Sequence, residues 1–144
     1  MALAESLTGP TQSIETVKAV ALSNIGNWEE SSVIFDKVIA RADRYASPWW
    51  LRYAMSLLET RRATEAVAFL LRTVNRFPDE PECNAFAAAL YTNIGSSSEA
   101  LRYWNVLPND VKVVYKDSDF LRTKLKWGPT SIASFNKFLT ANGY

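Results

Sequence analysis

Histidine is absent from the 144 residues, and cysteine occurs once, as Cys83. The first absence removes the commonest general base and the commonest metal ligand together. The second excludes an intrachain disulfide, and a redox role would need a lowered thiol pKa that nothing around Cys83 suggests. A buried, inert cysteine is the expectation. Neither sign of charge is in excess, with 16 basic residues against 15 acidic ones. That balance gives no general electrostatic reason to expect nucleic acid or an anionic membrane. No apolar run approaches the roughly 18 residues of a membrane-crossing helix. The first ten residues lack the basic start and apolar core of a signal peptide, so an intracellular location, the cytoplasm by default, is expected. A nucleophile elbow, a glycine-rich phosphate loop and Cys/His metal spacing are all missing. Neither an enzyme nor a cofactor is therefore expected.

What is present is ordinary for a soluble globular protein, with 48% hydrophobic and 22% charged residues. A chain of this length suits one domain that buries roughly 68–70% of its unfolded surface. Its organising feature is a period. The small residues Ala19, Ala54 and Ala88 fall 35 and 34 positions apart. Twelve residues after each comes another small one, Ser31, Ala66 and Ala100, and four further a large apolar one, Phe35, Leu70 and Trp104. Val38, Thr73 and Leu107 follow three places on. One more step of 34 reaches Ser134, Phe138 and Ala141, with Leu121 and Leu125 on the helix before. Small residues let two antiparallel helices approach closely, and large ones fill the space between one hairpin and the next.

Within the second unit the stretch Trp50-x2-Tyr53-Ala54-x2-Leu57, then Ala66-x3-Leu70-x2-Thr73 and Pro78, resembles the tetratricopeptide repeat, a 34-residue helix–turn–helix unit. The resemblance is strong here and weaker before and after. It implies an all-α fold, a right-handed superhelix of antiparallel hairpins with three to four units and seven to eight helices. The expected units span about 11–46, 47–79, 80–111 and 112–144, behind a flexible tail over 1–10. The last is degenerate or capping, because Arg122 stands where the other units have alanine. The first unit is longer by a residue, placed near Asp43–Ala46.

Local signals add boundaries. Thr11 or Ser13 caps a first helix that runs to about Asn24, Gly26-Asn27 turns, and a second helix continues to about Arg44. Ser47-Pro48 starts the third helix, Thr64 caps the fourth, and Ser96-x-x-Glu99 boxes the sixth. Asn109–Lys116 is β-branched at Val111, Val113 and Val114, which leaves a short extended connection and an irregular helix both open. Ser118–Lys126 and Thr130–Ala141 read as helices separated by Gly128-Pro129.

Some residues admit two readings. Trp49 covers the end of the preceding unit or stays exposed as a binding anchor. Arg61-Arg62 is a solvated corner or a phosphate contact, and the carboxylates of Asp79–Glu82 suit a helix dipole or a metal. Six basic residues, Lys112, Lys116, Arg122, Lys124, Lys126 and Lys137, against Asp117 and Asp119 form a solvated face or meet an acidic partner.

In the repeat family the first helix of each unit lines a concave groove that takes a peptide or a partner helix. The resemblance carries four rows over: Thr16, Val20 and Ser23; Leu51, Met55 and Leu58; Ala85, Ala89 and Thr92; Asp119, Thr123 and Lys126. Arg52, Phe86, Asn24, Glu59 and Asn93 border them. The middle rows are apolar, and apolar residues at surface positions imply a cover. For the stripe Leu51, Met55 and Leu58 that cover is a neighbouring unit, a terminal segment folded back, or a partner. The expected function is a protein–protein interaction module, an adaptor, assembly factor or chaperone that holds a partner's helix or peptide. The variant that clamps a C-terminal carboxylate needs Lys, Asn and Arg where this chain has Thr16, Val20, Met55, Glu82 and Phe86, which argues against heat-shock-protein tails. Two alternatives remain, a structural subunit of an obligate complex or homodimer, and an RNA-binding array of pentatricopeptide type.

Overall fold

Three turns with one backbone pattern divide the first part of the chain into hairpins. In a computed structural model, which describes residues 10–41 and 45–144, Gly26, Arg61 and Gly95 all take a positive φ, of 83°, 66° and 85°. The residue after each donates its N–H five positions back, Asn27 to Leu22, Arg62 to Leu57 and Ser96 to Tyr91, at 2.9, 2.7 and 2.8 Å. The turn residue itself donates three positions back, at 3.1, 3.2 and 3.1 Å. This is the Schellman arrangement, which satisfies the carbonyls a helix end leaves unpaired. The turns repeat at the same period as the side chains.

They join α1 (Pro10–Asn24) to α2 (Trp28–Arg41), α3 (Trp50–Glu59) to α4 (Ala63–Arg76), and α5 (Pro81–Asn93) to α6 (Ser97–Trp104). Each pair packs along its length, and the pairs stack in chain order, α2 on α3 and α4 on α5. Ala19, Ala54, Ala88, Ser31, Ala66 and Ala100 are completely buried, as close crossings require. The Ser31 hydroxyl donates to the Ala19 carbonyl at 2.7 Å, directly across the first hairpin. Phe35, Leu70 and Trp104 fill the next layer. Phe35 receives Trp49 of the following unit in a parallel stack at 5.5 Å, so Trp49 packs and is only half exposed.

Beyond Leu107 the pattern changes. Asn109–Tyr115 is helical (α7), with Pro108 extended before it and Asp110 in its first turn. The helix cost of β-branched residues is a few tenths of a kcal/mol each, and burial of Tyr115 outweighs it. Then come α8 (Ser118–Thr123), capped by the Asp117 carboxylate on the Asp119 N–H at 2.9 Å, and α9 (Pro129–Ala141). The described residues thus form nine helices and no strand, against seven or eight expected helices. The fourth unit is not a hairpin of two full helices. The short α8 touches α9 only lightly, while α9 lies along α5 and reaches α3. Ser134 and Phe138 are buried as the period predicts, but Ala141 is exposed.

Four start signals are corrected. Thr11 and Ser13 lie inside α1, which Pro10 opens, not at its cap. The α3 helix begins two residues after Pro48, with the Ser47 carbonyl accepting the Trp50 N–H. Thr64 lies inside α4, not at its cap. Ser96 makes no capping bond from its side chain, and the Glu99 carboxylate is engaged by Arg102 at 3.0 Å. The tail expected over 1–10 falls outside the described residues except for Pro10, which opens α1. The extra residue near Asp43–Ala46 and the end of α2 near Arg44 likewise involve residues 42–44, which lie outside them.

Candidate protein-binding surface

The face expected to form an open groove is interior. Leu51, Met55, Leu58, Ala85, Phe86 and Ala89 are all buried, Met55 at 0% exposure. The cover is the chain's own C-terminal segment, and of the polar residues bordering the face Arg52, Glu59 and Asn93 bind it, while Asn24 stays exposed. Arg52 donates to the carbonyls of Leu125 and Lys126, both at 3.0 Å, and to the Ser23 hydroxyl at 3.1 Å. Asn93 donates to the Ser134 hydroxyl at 3.1 Å. Trp127 inserts its ring against Phe86 and Phe135, and its indole N–H donates to Glu82 at 3.0 Å.

Glu59 closes the arrangement. Its carboxylate accepts the Thr130 N–H at 3.1 Å and the Ser131 N–H and hydroxyl, both at 2.7 Å. A helix beginning at Gly128-Pro129 has no side-chain oxygen of its own for its first N–H groups. Glu59 supplies that cap from α3 and also faces the positive end of the α9 dipole. A Cβ on Gly128 would sit 2.3 Å from the Glu59 Cδ, so only glycine permits this approach. Sequence reasoning took Gly128-Pro129 as a break and missed the cap. The available signal was a helix start without a capping side chain.

Burial sets the electrostatics of this face. It raises the Glu82 carboxyl above its ordinary range, while the Trp127 donor and Arg52 pull it back. Burial lowers the Arg52 guanidinium, opposed by the charges of Glu82 and Glu59. The remaining candidates do not join them. Thr16 and Val20 lie half-buried on α1, and Asp119 is exposed on α8 in an ion pair with Arg122. The Lys126 side chain is exposed, and only its carbonyl meets Arg52.

The other ambiguous residues have structural partners. Arg62 binds Asp36 through two nitrogens at 3.0 and 3.1 Å and Glu65 at 2.8 Å, which accounts for half of the Arg61-Arg62 pair. The Cys83 thiol is pushed up to about 12 by burial, as an unreactive thiol should be. Among the described residues no three His, Cys, Asp or Glu side chains group to hold a metal ion. No helix among them is long and apolar enough to cross a membrane.

Among the described residues an apolar row on α1 is exposed. Ile14, Val17 and Ile25 are 67%, 68% and 78% exposed, and Ala21 between them is exposed as well. Spacings of three, four and four residues put all four on one side of α1 and its turn. The repeat gives the stripe a meaning. A shift of 35 turns these positions into Trp49, Arg52, Ser56 and Thr60, and a shift of 69 turns them into Cys83, Phe86, Leu90 and Ile94. In the second unit this row meets the preceding hairpin, with Trp49 on Phe35, Ser56 within 3.3 Å of Ser31, and Arg52 on Ser23. In the third, Cys83, Phe86 and Leu90 are buried, Phe86 against Trp127, while Ile94 is exposed. On α1 the corresponding row faces outward. Beside it on α2, Glu29, Glu30, Val33 and Ile34 line a shallow depression. No protein-family model matches the chain, and no curated protein or solved structure matches it either.

Proposed function

We propose that the chain is a protein–protein interaction module of tetratricopeptide-like class, an adaptor or assembly factor inside the cell, and that its contact surface is the outward row of α1. One observation carries this reading. Ile14 and Val17 occupy positions that the second unit uses for hairpin-to-hairpin packing, through Trp49 and Arg52, yet together with Ile25 they stand 67–78% exposed. Apolar side chains in a row of this kind mark a surface meant to be covered. The stacked hairpins and their period support the superhelix that the resemblance implies. A second reading, a structural subunit of an obligate complex or homodimer, is favoured by the inner face, which is committed to α9 and offers no room for a peptide.

Affinity capture from native extract with the full chain tests the reading. A partner should be retained by the wild type and by Asn136→Asp, which alters the exposed side of α9. It should be lost with Val17→Asp and with Ile25→Asp. Retention that ignores both α1 variants would remove the function from this face.

A further inference from the structure

Arg52 carries its charge where a cation is disfavoured. It sits in the first turn of α3, at the positive end of that helix dipole, and no acidic residue accompanies it there. It is half-buried, and burial opposes its charged form. Its four bonded acceptors are all neutral: the Ser23 hydroxyl, the Met55 sulfur and the carbonyls of Leu125 and Lys126. A guanidinium has five N–H groups, so one has no acceptor among them. No carboxylate among the described residues forms an ion pair with it. Glu82 and Glu59, whose charges reach it, are bonded instead to Trp127 and to the start of α9.

Three residues that Arg52 touches are Ser23, Lys126 and Trp28, whose ring centroid lies 5.4 Å from the guanidinium carbon. All three line a cleft of about 180 Å³ between the α1–α2 turn and the start of α9, with Arg122 and Trp127 also in its walls. The Lys126 side chain is exposed and enters no ion pair among the described residues, while Arg122 has Asp119. A place in the last turn of α8 suits Arg122 to the negative end of that helix. Arg52 has no such reason.

We propose that this cleft binds a small oxyanion of the phosphoryl class, held by Lys126 and Arg122 and offsetting the charge of Arg52. The volume is below the roughly 300 Å³ at which sites for drug-sized molecules begin, so the anionic group itself is what fits. A phosphoryl group brings roughly two negative charges at neutral pH, against one for a carboxylate. Three cations here share one ion-paired carboxylate, Asp119, and the larger charge suits them better.

Titration of the full chain with inorganic phosphate, against sodium chloride of equal ionic strength, tests the site. Tryptophan emission is the readout, because Trp28 and Trp127 flank the cleft. The change should saturate in the millimolar range. Lys126→Gly removes the side chain without straining a backbone already at φ 57°, and should weaken binding about fivefold. Arg122→Gln should act alike. Lys137→Gln, exposed on α9 and outside the cleft, should leave binding unchanged. Circular dichroism checks that each variant is folded. Phenyl phosphate separates two sources of the group: tighter binding assigns a phosphoryl carried on a larger molecule, equal binding the free ion, and either supports the site. No saturation beyond the chloride control overturns the inference. An equal response to acetate, or equal weakening in Lys137→Gln, overturns it too.

Discussion

The two ends of this helical stack carry the two opposite sides of one hairpin interface, the sides that Phe35 and Trp49 bring together within it, and meet opposite fates. At the C-terminal end Trp104 is fully buried, roofed by Phe135 and Phe138, with the Tyr144 ring at 5.6 Å. At the N-terminal end Ile14, Val17 and Ile25 point outward. A repeat specifies what each unit does to its neighbour and is silent about the first and last, which need a cap of their own. Here the cap at one end is an irregular segment that abandons the hairpin rule. It folds back over α5 and α3, is fastened by Arg52, Glu59 and Glu82, and consumes the inner face in doing so. The stack is thus closed on its inner side and at its C-terminal end, and among the described residues the α1 row is left exposed.

The largest expected effect is at Met55. Read as groove, Met55→Glu would cost the fold within about 1 kcal/mol, the usual range for exposed changes. At 0% exposure, a carboxylate there has no solvent, and Arg52, whose guanidinium lies 3.4 Å from the Met55 sulfur, is already committed to Ser23 and to the Leu125 and Lys126 carbonyls. The substitution should cost more than about 4 kcal/mol and leave the chain unfolded in a denaturant titration. A folded Met55→Glu protein would mean that α9 leaves the inner face readily.

Trp104→Ala and Ile25→Ala test the two ends against each other. Removing Trp104 should cost about 3–5 kcal/mol through the cavity beneath α9. Removing the exposed Ile25 side chain should change stability by no more than about 0.5 kcal/mol. Comparable losses, measured by urea midpoints at low protein concentration, would show the open end to be covered after all.

A smaller effect isolates the clasp. Glu59→Ala deprives α9 of three accepted hydrogen bonds and should cost about 2 kcal/mol. Gly128→Ala should cost a similar amount by pushing its methyl into the same carboxylate. The double variant should cost little more than either alone, since both break one contact. Simple additivity would show that Gly128 acts elsewhere.

How much of this could be read beforehand varies along the chain. The crossings at Ala19, Ala54 and Ala88 and the fillers Phe35, Leu70 and Trp104 were legible, because packing between neighbours repeats and repetition can be counted. The turn at Gly26 was legible from the Gly26-Asn27 pair itself. The destination of α9 was not. The stripe Leu51, Met55 and Leu58 announces that something covers it, and its residue types do not distinguish a partner from the chain's own end. Glu59 and Trp127 act over 71 and 45 positions of sequence, and no local pattern marks such a pair. The α1 row was passed over because its apolar residues are sparse, and their meaning appears only when they are laid on the buried rows of the next two units.

The smallest effect concerns the one turn of three that lacks glycine. Arg61 adopts φ 66° with the same two hydrogen bonds that Gly26 and Gly95 make. A left-handed conformation costs a residue with a Cβ about 1–2 kcal/mol. Glycine avoids that cost but gives back about 0.5–1 kcal/mol through the extra freedom of its unfolded chain. The difference favours Arg61→Gly by roughly 0.5 kcal/mol. The Arg61 side chain is exposed and enters no ion pair among the described residues, whereas its neighbour Arg62 holds Asp36 and Glu65 and must be kept. Arg61→Gly should raise the urea midpoint slightly with an unchanged slope, and Gly95→Ala should lower it, with a loss of stability of about 1 kcal/mol, for the converse reason. A lower midpoint in Arg61→Gly would mean that this arginine makes a contact in solution worth more than the strain it carries.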